Sequence, residues 1–217
     1  MIEGYIPKNE RKKILLLCDD IRMHSGIATM AREFVVNLSH KYNWYQLGAA
    51  LKHPDQGKTF DISQDVGKKI GINDADVKVM PWNGYGDAGV IRNLIAKEEP
   101  DAIFIFTDPR YWIWLFEIER EVRSKIPIFW LNIWDDYPAP MYNRAYYESV
   151  DLLMGISKQT VNINKLVLEE KAKEKVIEYV PHGIDEKDFF PIREGDKLYP
   201  KLLEFKEKTV PVDAEFI

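Results

Sequence analysis

The sequence is poor in cysteine, in histidine and in positive charge. A single cysteine, Cys18, excludes an intramolecular disulfide and any metal site built from several cysteines. Lys and Arg number 30 against 35 Asp and Glu, and the net charge of −5 disfavours nucleic acid, whose binding rests on clustered positive charge. The four histidines are scattered without metal-ligand spacing, so we expect no metal site.

Long apolar runs are also missing. The first 13 residues lack the apolar stretch of a signal peptide, and no run approaches the roughly 18 apolar residues that a membrane span needs. We therefore expect a cytoplasmic protein without an integral membrane segment. A composition of 46% hydrophobic and 30% charged residues suffices for a core, which excludes disordered, collagen-like and coiled-coil chains.

Short apolar runs alternate with amphipathic helical patterns along residues 1–191. Residues 13–18 form the first apolar run, and apolar residues then recur at i, i+3, i+4 and i+7 through residues 27–38. This alternation predicts an α/β fold with a doubly wound, mostly parallel, Rossmann-like sheet. Further strands are predicted at 44–51, 77–80, 102–106, 128–133, 152–156 and 176–180, and further helices at 88–97, 111–123, 141–149, 157–169 and 199–206.

Two segments do not follow the alternation. Residues 59–66 lie in a polar stretch broken by glycines and are predicted to form a hairpin. Residues 192–217 are interpreted as a charged linker that ends in an apolar segment at 214–217, the first strand of a further domain. On this interpretation the chain is a fragment of a longer protein.

Ligands of an open parallel sheet bind beyond the carboxyl ends of its strands, so the residues after each strand are candidates. After the first strand, Ser25, Gly26 and Ile27 open a helix whose unpaired N–H groups and dipole favour a phosphate or carboxylate. The alternative is that Ser25 is only an N-cap and Gly26 only a turn. Without a Walker loop or Gly-x-Gly-x-x-Gly, neither a nucleoside triphosphate nor a nicotinamide cofactor is indicated.

Acidic and aromatic residues follow two later strands. Asp108 and Arg110 come after residues 102–106, and Trp134, Asp135, Asp136 and Tyr137 follow residues 128–133. Paired acids can act as a general base or accept hydrogen bonds from sugar hydroxyls, and aromatic rings can stack on a sugar or base. The alternative is an Asx turn before a proline, surrounded by core aromatics.

Three segments resemble the amino-terminal half of retaining GT-B glycosyltransferases of the sucrose-synthase-like family 4. The first is the strand and Gly-containing loop at 13–34, and the second is the segment 151–160, in which Ser157 opens a helix. The third and most specific is Pro181-His182-Gly183-Ile184-Asp185, followed by an aromatic residue and Pro191. The resemblance covers residues 13–191.

This resemblance implies transfer of a sugar from a nucleotide-diphosphate sugar to a glycan or other hydroxyl acceptor with retention, and no further cofactor. Ser25, Gly26 and Ile27 would face the donor's phosphates or the transferred sugar, and Asp135 or Asp136 would be catalytic, where many members have a histidine. His182 and Gly183 would lie at the turn toward the interdomain linker. The further candidate substrate-binding residues are Asp108, Arg110, Trp134, Tyr137 and Ser157.

In this family the nucleotide is bound by the carboxyl-terminal half, which would begin where this sequence stops. We therefore expect residues 1–217 by themselves to bind donor weakly and to turn over little, because the departing diphosphate lacks its stabilising donors. The alternative function is a non-catalytic sugar- or ligand-binding Rossmann-like module. A phosphoacceptor receiver domain also carries an acidic pair like Asp19-Asp20, but the acid and lysine it needs after later strands are absent here.

Overall fold

The computed structural model describes residues 2–186 and 189–211. The chain divides into two compact units, residues 1–181 and residues 182–217. The strand predicted at 214–217 lies outside the described residues.

The first unit is built on an eight-stranded sheet. The strands are β1 Lys12–Asp19, β2 Tyr42–Leu51, β3 Phe60–Asp61, β4 Val77–Asn83, β5 Ala102–Phe106, β6 Ile128–Asn132, β7 Leu152–Gly155 and β8 Val176–Tyr179. Their order in the sheet is β3-β4-β2-β1-β5-β6-β7-β8, and neighbouring strands are parallel except for β3, which pairs antiparallel with β4. This confirms the predicted doubly wound, mostly parallel sheet.

Helices cover both faces of this sheet. Strand β1 sends Leu15 and Leu17 into one apolar core and Leu16 and Cys18 into the other, as the alternation of side chains along a strand requires. Helices α1 and α2 pack on the Leu16 face, and α3, α5 and α7 pack on the Leu15 face. The helices of this unit are α1 Gly26–Leu38, α2 Ser63–Ile70, α3 Ala88–Glu98, α4 Ile113–Glu117, α5 Glu119–Arg123, α6 Arg144–Glu148 and α7 Lys158–Leu168.

The predicted hairpin at 59–66 is wrong. Only the two residues of β3 are extended, and helix α2 begins at Ser63. Val66 and Ile70, four residues apart as on one face of a helix, pack on the core of the α1 face. The aromatic helix predicted at 111–123 is broken into a 3₁₀ turn, Pro109–Trp112, followed by α4 and α5. Ile118 interrupts it with φ −110° and ψ 15°, outside the α-helical region.

In the second unit, the described residues contain the helix α8, Tyr199–Thr209. The predicted helix at 199–206 is thus confirmed and extends three residues further. None of its residues is buried.

The tight contact between β7 and α7 gives a testable prediction for stability. A Cβ atom added at Gly155 would lie 2.9 Å from both the backbone nitrogen and Cγ2 of Val161. Because backbone cannot yield as a flexible side chain can, we expect Gly155→Ala to lower the free energy of unfolding by about 1–3 kcal/mol. Urea unfolding measures this change through the midpoint.

Gly26→Ala is the matched control. A Cβ atom there meets no atom within 4 Å, so this variant should lose no comparable stability. Equal destabilisation by the two substitutions would contradict the close approach at Gly155.

Candidate functional site

The sheet order places a crevice between the carboxyl ends of β1 and β5. From β1 the chain runs outward through β2 and β4, and it then returns to the other side of β1 for β5 and the strands that follow. The loops after β1 and β5 therefore leave the sheet in opposite directions. In open α/β sheets such a topological switch point is where ligands bind.

The loop after β1 presents a buried carboxylate to this crevice. Asp19 is 9% exposed, and its Oδ2 accepts a hydrogen bond from Ser25 Oγ at 2.8 Å. Ser25 Oγ in turn accepts from the N–H of Ala28 at 3.0 Å and so caps α1. Because a hydroxyl has one proton, Ser25 has none left to donate to a ligand. Within residues 2–186 the N–H groups of Gly26 and Ile27 donate no hydrogen bond, so these are the groups that can hold an anion.

Two buried polar side chains hold the start of this loop. Gln46 accepts from the N–H of Ile21 and donates to the carbonyl oxygen of Asp19 at 2.8 Å. Asp20, 1% exposed, is bound by Arg22 through Nε at 2.9 Å and Nη2 at 2.6 Å. A glycine is required at position 48, because a Cβ there would lie 2.7 Å from Asp20 Oδ2. The loop is therefore rigidly seated against β2.

Two tyrosines stack beside Asp19. Tyr85, which follows β4, and Tyr111, which follows β5, have ring centroids 4.2 Å apart and planes inclined by 7°. Burial, together with the nearby charges of Asp19 and Asp108, raises the pKa of Tyr85 to about 12. The phenol of Tyr85 therefore lies in a negative potential produced by residues from the ends of β1 and β5.

The guanidinium of Arg110 contacts both Asp108, which follows β5, and Trp134, which follows β6. Arg110 donates to Asp108 through Nε at 2.9 Å and Nη2 at 2.6 Å, and its Cζ lies 5.8 Å from the ring centroid of Trp134. Trp134 meets Tyr142 edge to face at 5.9 Å. We call the residues connected in this way the switch-point cluster: Asp19, Tyr85, Asp108, Arg110, Tyr111 and Trp134.

A buried amide fixes Trp134. Asn132, the last residue of β6, is 2% exposed and accepts from the N–H of Trp134 at 3.1 Å. Its Nδ2 donates to Tyr147 Oη and to Asn164 Oδ1. The indole N–H of Trp134 then donates to the carbonyl oxygen of Asp136 at 2.9 Å. The turn after β6 is thus tied to α6 and α7 by hydrogen bonds made inside the core.

The two predicted catalytic acids lie on this turn and are exposed. Asp136 Oδ1 accepts from the N–H of Tyr137, whereas the Asp135 carboxylate has no hydrogen-bond partner within residues 2–186. Helix α7 supports the turn, since Gln159 donates to the carbonyl oxygen of Asp135 and Asn162 donates to Tyr137 Oη. Both carboxylates are therefore free to meet a ligand, and neither is buried.

Three other predicted residues lie away from the switch-point cluster or in the other unit. Ser157 Oγ accepts from the N–H of Thr160 at 2.9 Å and caps α7, beyond the end of β7. His182 and Gly183 open the second unit, where both are exposed.

Sequence reasoning did not single out Tyr85, Tyr111 or Asp19 as site residues. A signal for Tyr85 was present, since this tyrosine stands between Gly84 and Gly86, whose φ angles are 73° and 88°. Residues with positive φ are mostly glycines, and they allow the chain to turn sharply at the end of β4. For Asp19, only the sheet order shows that its strand lies at the switch point.

The described residues hold neither a group of metal-ligating side chains nor a membrane-spanning helix. Within 2–186 and 189–211, no group of three or more His, Cys, Asp or Glu residues is placed to hold a metal ion. No helix in the same ranges is both long enough and apolar enough to cross a membrane.

The sequence matches no protein-family model and no curated protein. The fold is similar to that of a solved structure described as trehalose-6-phosphate from E. coli bound with UDP-2-fluoro glucose, at a TM-score of 0.50 and 13% identity. The match covers 91% of this chain and 54% of that one, so this chain spans about half of its length. The similarity confirms the mostly parallel, Rossmann-like α/β fold. The assignment to GT-B glycosyltransferases of family 4 stays a prediction.

The environment of Tyr85 gives a prediction about alkaline pH. Its pKa of about 12 exceeds the unperturbed value of about 10, so the folded protein holds this proton more tightly than the unfolded chain. The stability that this supplies is complete below about pH 10 and is lost as the pH rises toward 12. In an absorbance titration of phenolate, wild type should show a transition near pH 12 that is absent from Tyr85→Phe.

Asp19→Asn removes one of the charges responsible and should lower the pKa of Tyr85. If Tyr85→Phe instead lost a transition near pH 10, or if Asp19→Asn left the pKa of Tyr85 unchanged, the placement of a buried Tyr85 beside Asp19 would be contradicted.

Proposed function

We propose that this chain supplies the acceptor-side half of a GT-B glycosyltransferase. The reaction is transfer of a sugar from a nucleotide-diphosphate sugar to a hydroxyl of a glycan or other acceptor, with retention of configuration. The observation that carries the proposal is the switch-point cluster, which combines stacked aromatic rings with carboxylates at the ligand-binding edge of the sheet. The fold it shares with a chain bound to UDP-2-fluoro glucose supports the same conclusion.

The chemistry of the cluster suits a sugar. A pyranose has C–H faces that pack on aromatic rings and hydroxyl groups that donate to carboxylates. Tyr111 is 50% exposed, and Tyr142, which contacts Trp134 of the cluster, is 63% exposed, so both rings remain open to a ligand. Asp19 and Asp108 supply acceptor oxygens near Tyr85, on which Tyr111 stacks. A mostly apolar surface with a few fixed polar groups is the usual composition of a small-molecule site.

The donor's diphosphate requires hydrogen-bond donors. In this proposal the N–H groups of Gly26 and Ile27, at the positive end of α1, contact a phosphate or the transferred sugar. The remaining donors come from a carboxyl-terminal GT-B domain, the partner that we propose for this half. Ser25 acts through its cap and its bond to Asp19 rather than as a phosphate ligand.

Asp135 or Asp136 is proposed to act on the acceptor hydroxyl. Exposure and, for Asp135, the lack of a hydrogen-bond partner within residues 2–186 leave carboxylate oxygens available to a substrate. Trp134, on the same turn, links these acids to the switch-point cluster through its contact with Arg110.

The aromatic residues of the cluster give a test of sugar binding. We expect Trp134→Ala and Tyr111→Ala each to weaken binding of the acceptor sugar by about tenfold, since aromatic contacts contribute roughly 0.5–1.5 kcal/mol beyond the area they bury. Isothermal titration calorimetry with a panel of free monosaccharides measures the change.

Tyr5→Ala is the matched control, because Tyr5 is also exposed and also lies against a guanidinium, that of Arg11, just before β1. Its loss should leave sugar affinity unaltered. Equal weakening by Tyr5→Ala would argue against a site at the switch point.

The two acids give a separate test of catalysis. In the full-length protein we expect Asp135→Asn or Asp136→Asn, whichever is the acting acid, to lower kcat by about 10²–10⁴-fold, the range for loss of a general acid or base. Steady-state sugar transfer measures kcat, and circular dichroism checks folding. If both variants keep wild-type turnover, neither acid is catalytic; sugar binding without turnover in any preparation would favour the non-catalytic sugar-binding module.

A further inference from the structure

We infer that the switch-point cluster selects an acceptor sugar without a phosphate group and disfavours the corresponding sugar phosphate. This inference rests on the proposed function and specifies the acceptor class of the same site. Its basis is the arrangement of charges around Asp19, Asp108 and Arg110.

Asp19 is a buried carboxylate without a cation. Within residues 2–186, no side-chain nitrogen of a lysine, arginine or histidine lies within 4.0 Å of its oxygens, the distance that defines an ion pair. Its neighbour Asp20 differs, because Arg22 lies 2.6 Å away. Asp76, also buried, has Lys8 at 3.4 Å. Asp19 therefore has no ion-pair partner within these residues: its Oδ2 accepts from Ser25 Oγ, and its charge acts on the neighbouring phenol of Tyr85.

Arg110, the cation of the cluster, is already paired with a carboxylate. Two of its nitrogens donate to Asp108, and this contact lowers the pKa of Asp108 below its usual value despite partial burial. A bidentate pair of this kind is short and directional, so a phosphate must compete with a carboxylate two residues away on the same loop. Because the charges of Arg110 and Asp108 cancel, the net charge of the cluster is the one negative charge of Asp19.

A phosphate and a hydroxyl respond to this charge in opposite ways. A sugar hydroxyl donates to a carboxylate, whereas a phosphate dianion has acceptors and is repelled by it. Like charges a few ångströms apart near a protein surface repel each other appreciably, because the effective dielectric constant there is about 20 rather than that of water. We expect this repulsion to weaken phosphate binding by about tenfold, which corresponds to 1.4 kcal/mol.

The experiment compares matched pairs of probes on the folded chain. Isothermal titration calorimetry at low salt is carried out with glucose and glucose 6-phosphate, and with mannose and mannose 6-phosphate. We expect at least one free sugar to bind about tenfold or more tightly than its phosphate. Raising the ionic strength should narrow the difference, because salt screens charges at a partly open site.

Two substitutions test which charge produces the preference for the free sugar over its phosphate. Asp19→Asn keeps the acceptor for Ser25 while removing the charge, and it should improve binding of the sugar phosphate relative to that of the free sugar by about tenfold. Asp108→Asn releases Arg110 and should act in the same direction, which keeps the test available if Asp19→Asn does not fold. Asp65→Asn, an exposed acid on α2, makes the same change in net charge and should leave the preference unchanged.

The outcomes separate the inference from the proposed function. Equal or tighter binding of a sugar phosphate by wild type would overturn the inference and leave the proposed function standing. A preference for free sugar that both Asp19→Asn and Asp108→Asn leave intact would also overturn it. Failure of wild type to bind any of the four probes would count against the sugar site itself, and so against both.

Discussion

The hydrogen bond between Asp19 and Ser25 connects the fold to the site. It joins the last residue of the central strand to the cap of α1, so the position of that helix depends on a carboxylate at the switch point. The same carboxylate raises the pKa of Tyr85 and gives the crevice its negative charge. The carboxylate of Asp19, which helps to hold α1 in place, thus also lies at the proposed ligand site.

The turn after β6 shows a second way in which the core supports the surface. Asn132 lies at the end of a buried strand, and its amide bonds to Tyr147, to Asn164 and to the backbone of Trp134. Buried polar groups are costly unless they are paired, so a network of this kind specifies one arrangement of the chain. The partly buried ring of a proposed binding residue, Trp134, is thereby placed by hydrogen bonds that begin inside the core.

The two sets of candidate acids have different environments. Asp19 and Asp108 lie among aromatic rings at the crevice, where they can recognise a ligand, and Asp135 and Asp136 are exposed on the neighbouring turn. A sugar-transfer site needs both roles, because binding energy positions the acceptor while a separate group handles its proton. Arg110, between Asp108 and Trp134, is the contact that joins the two sets.

The sequence by itself determined the fold class and most element positions. Strand β5 falls at the predicted residues, and β1 and α3 differ by one residue at their ends, because continuous apolar runs and helical spacing are local properties. The polar segment that contains α2 was mistaken for a hairpin, since this short helix turns only a few residues inward, chiefly Val66 and Ile70.

Only the tertiary structure decided which loop residues form a site. Tyr85 and Tyr111 are 26 positions apart in the sequence, and they stack because β4 and β5 end at the same edge on opposite sides of β1. By sequence Ser25 was a candidate phosphate ligand, but its hydroxyl donates to Asp19, and Asp19 itself was considered only as half of an acidic pair. Strand order and hydrogen-bond partners are relations between distant residues, and local patterns do not encode them.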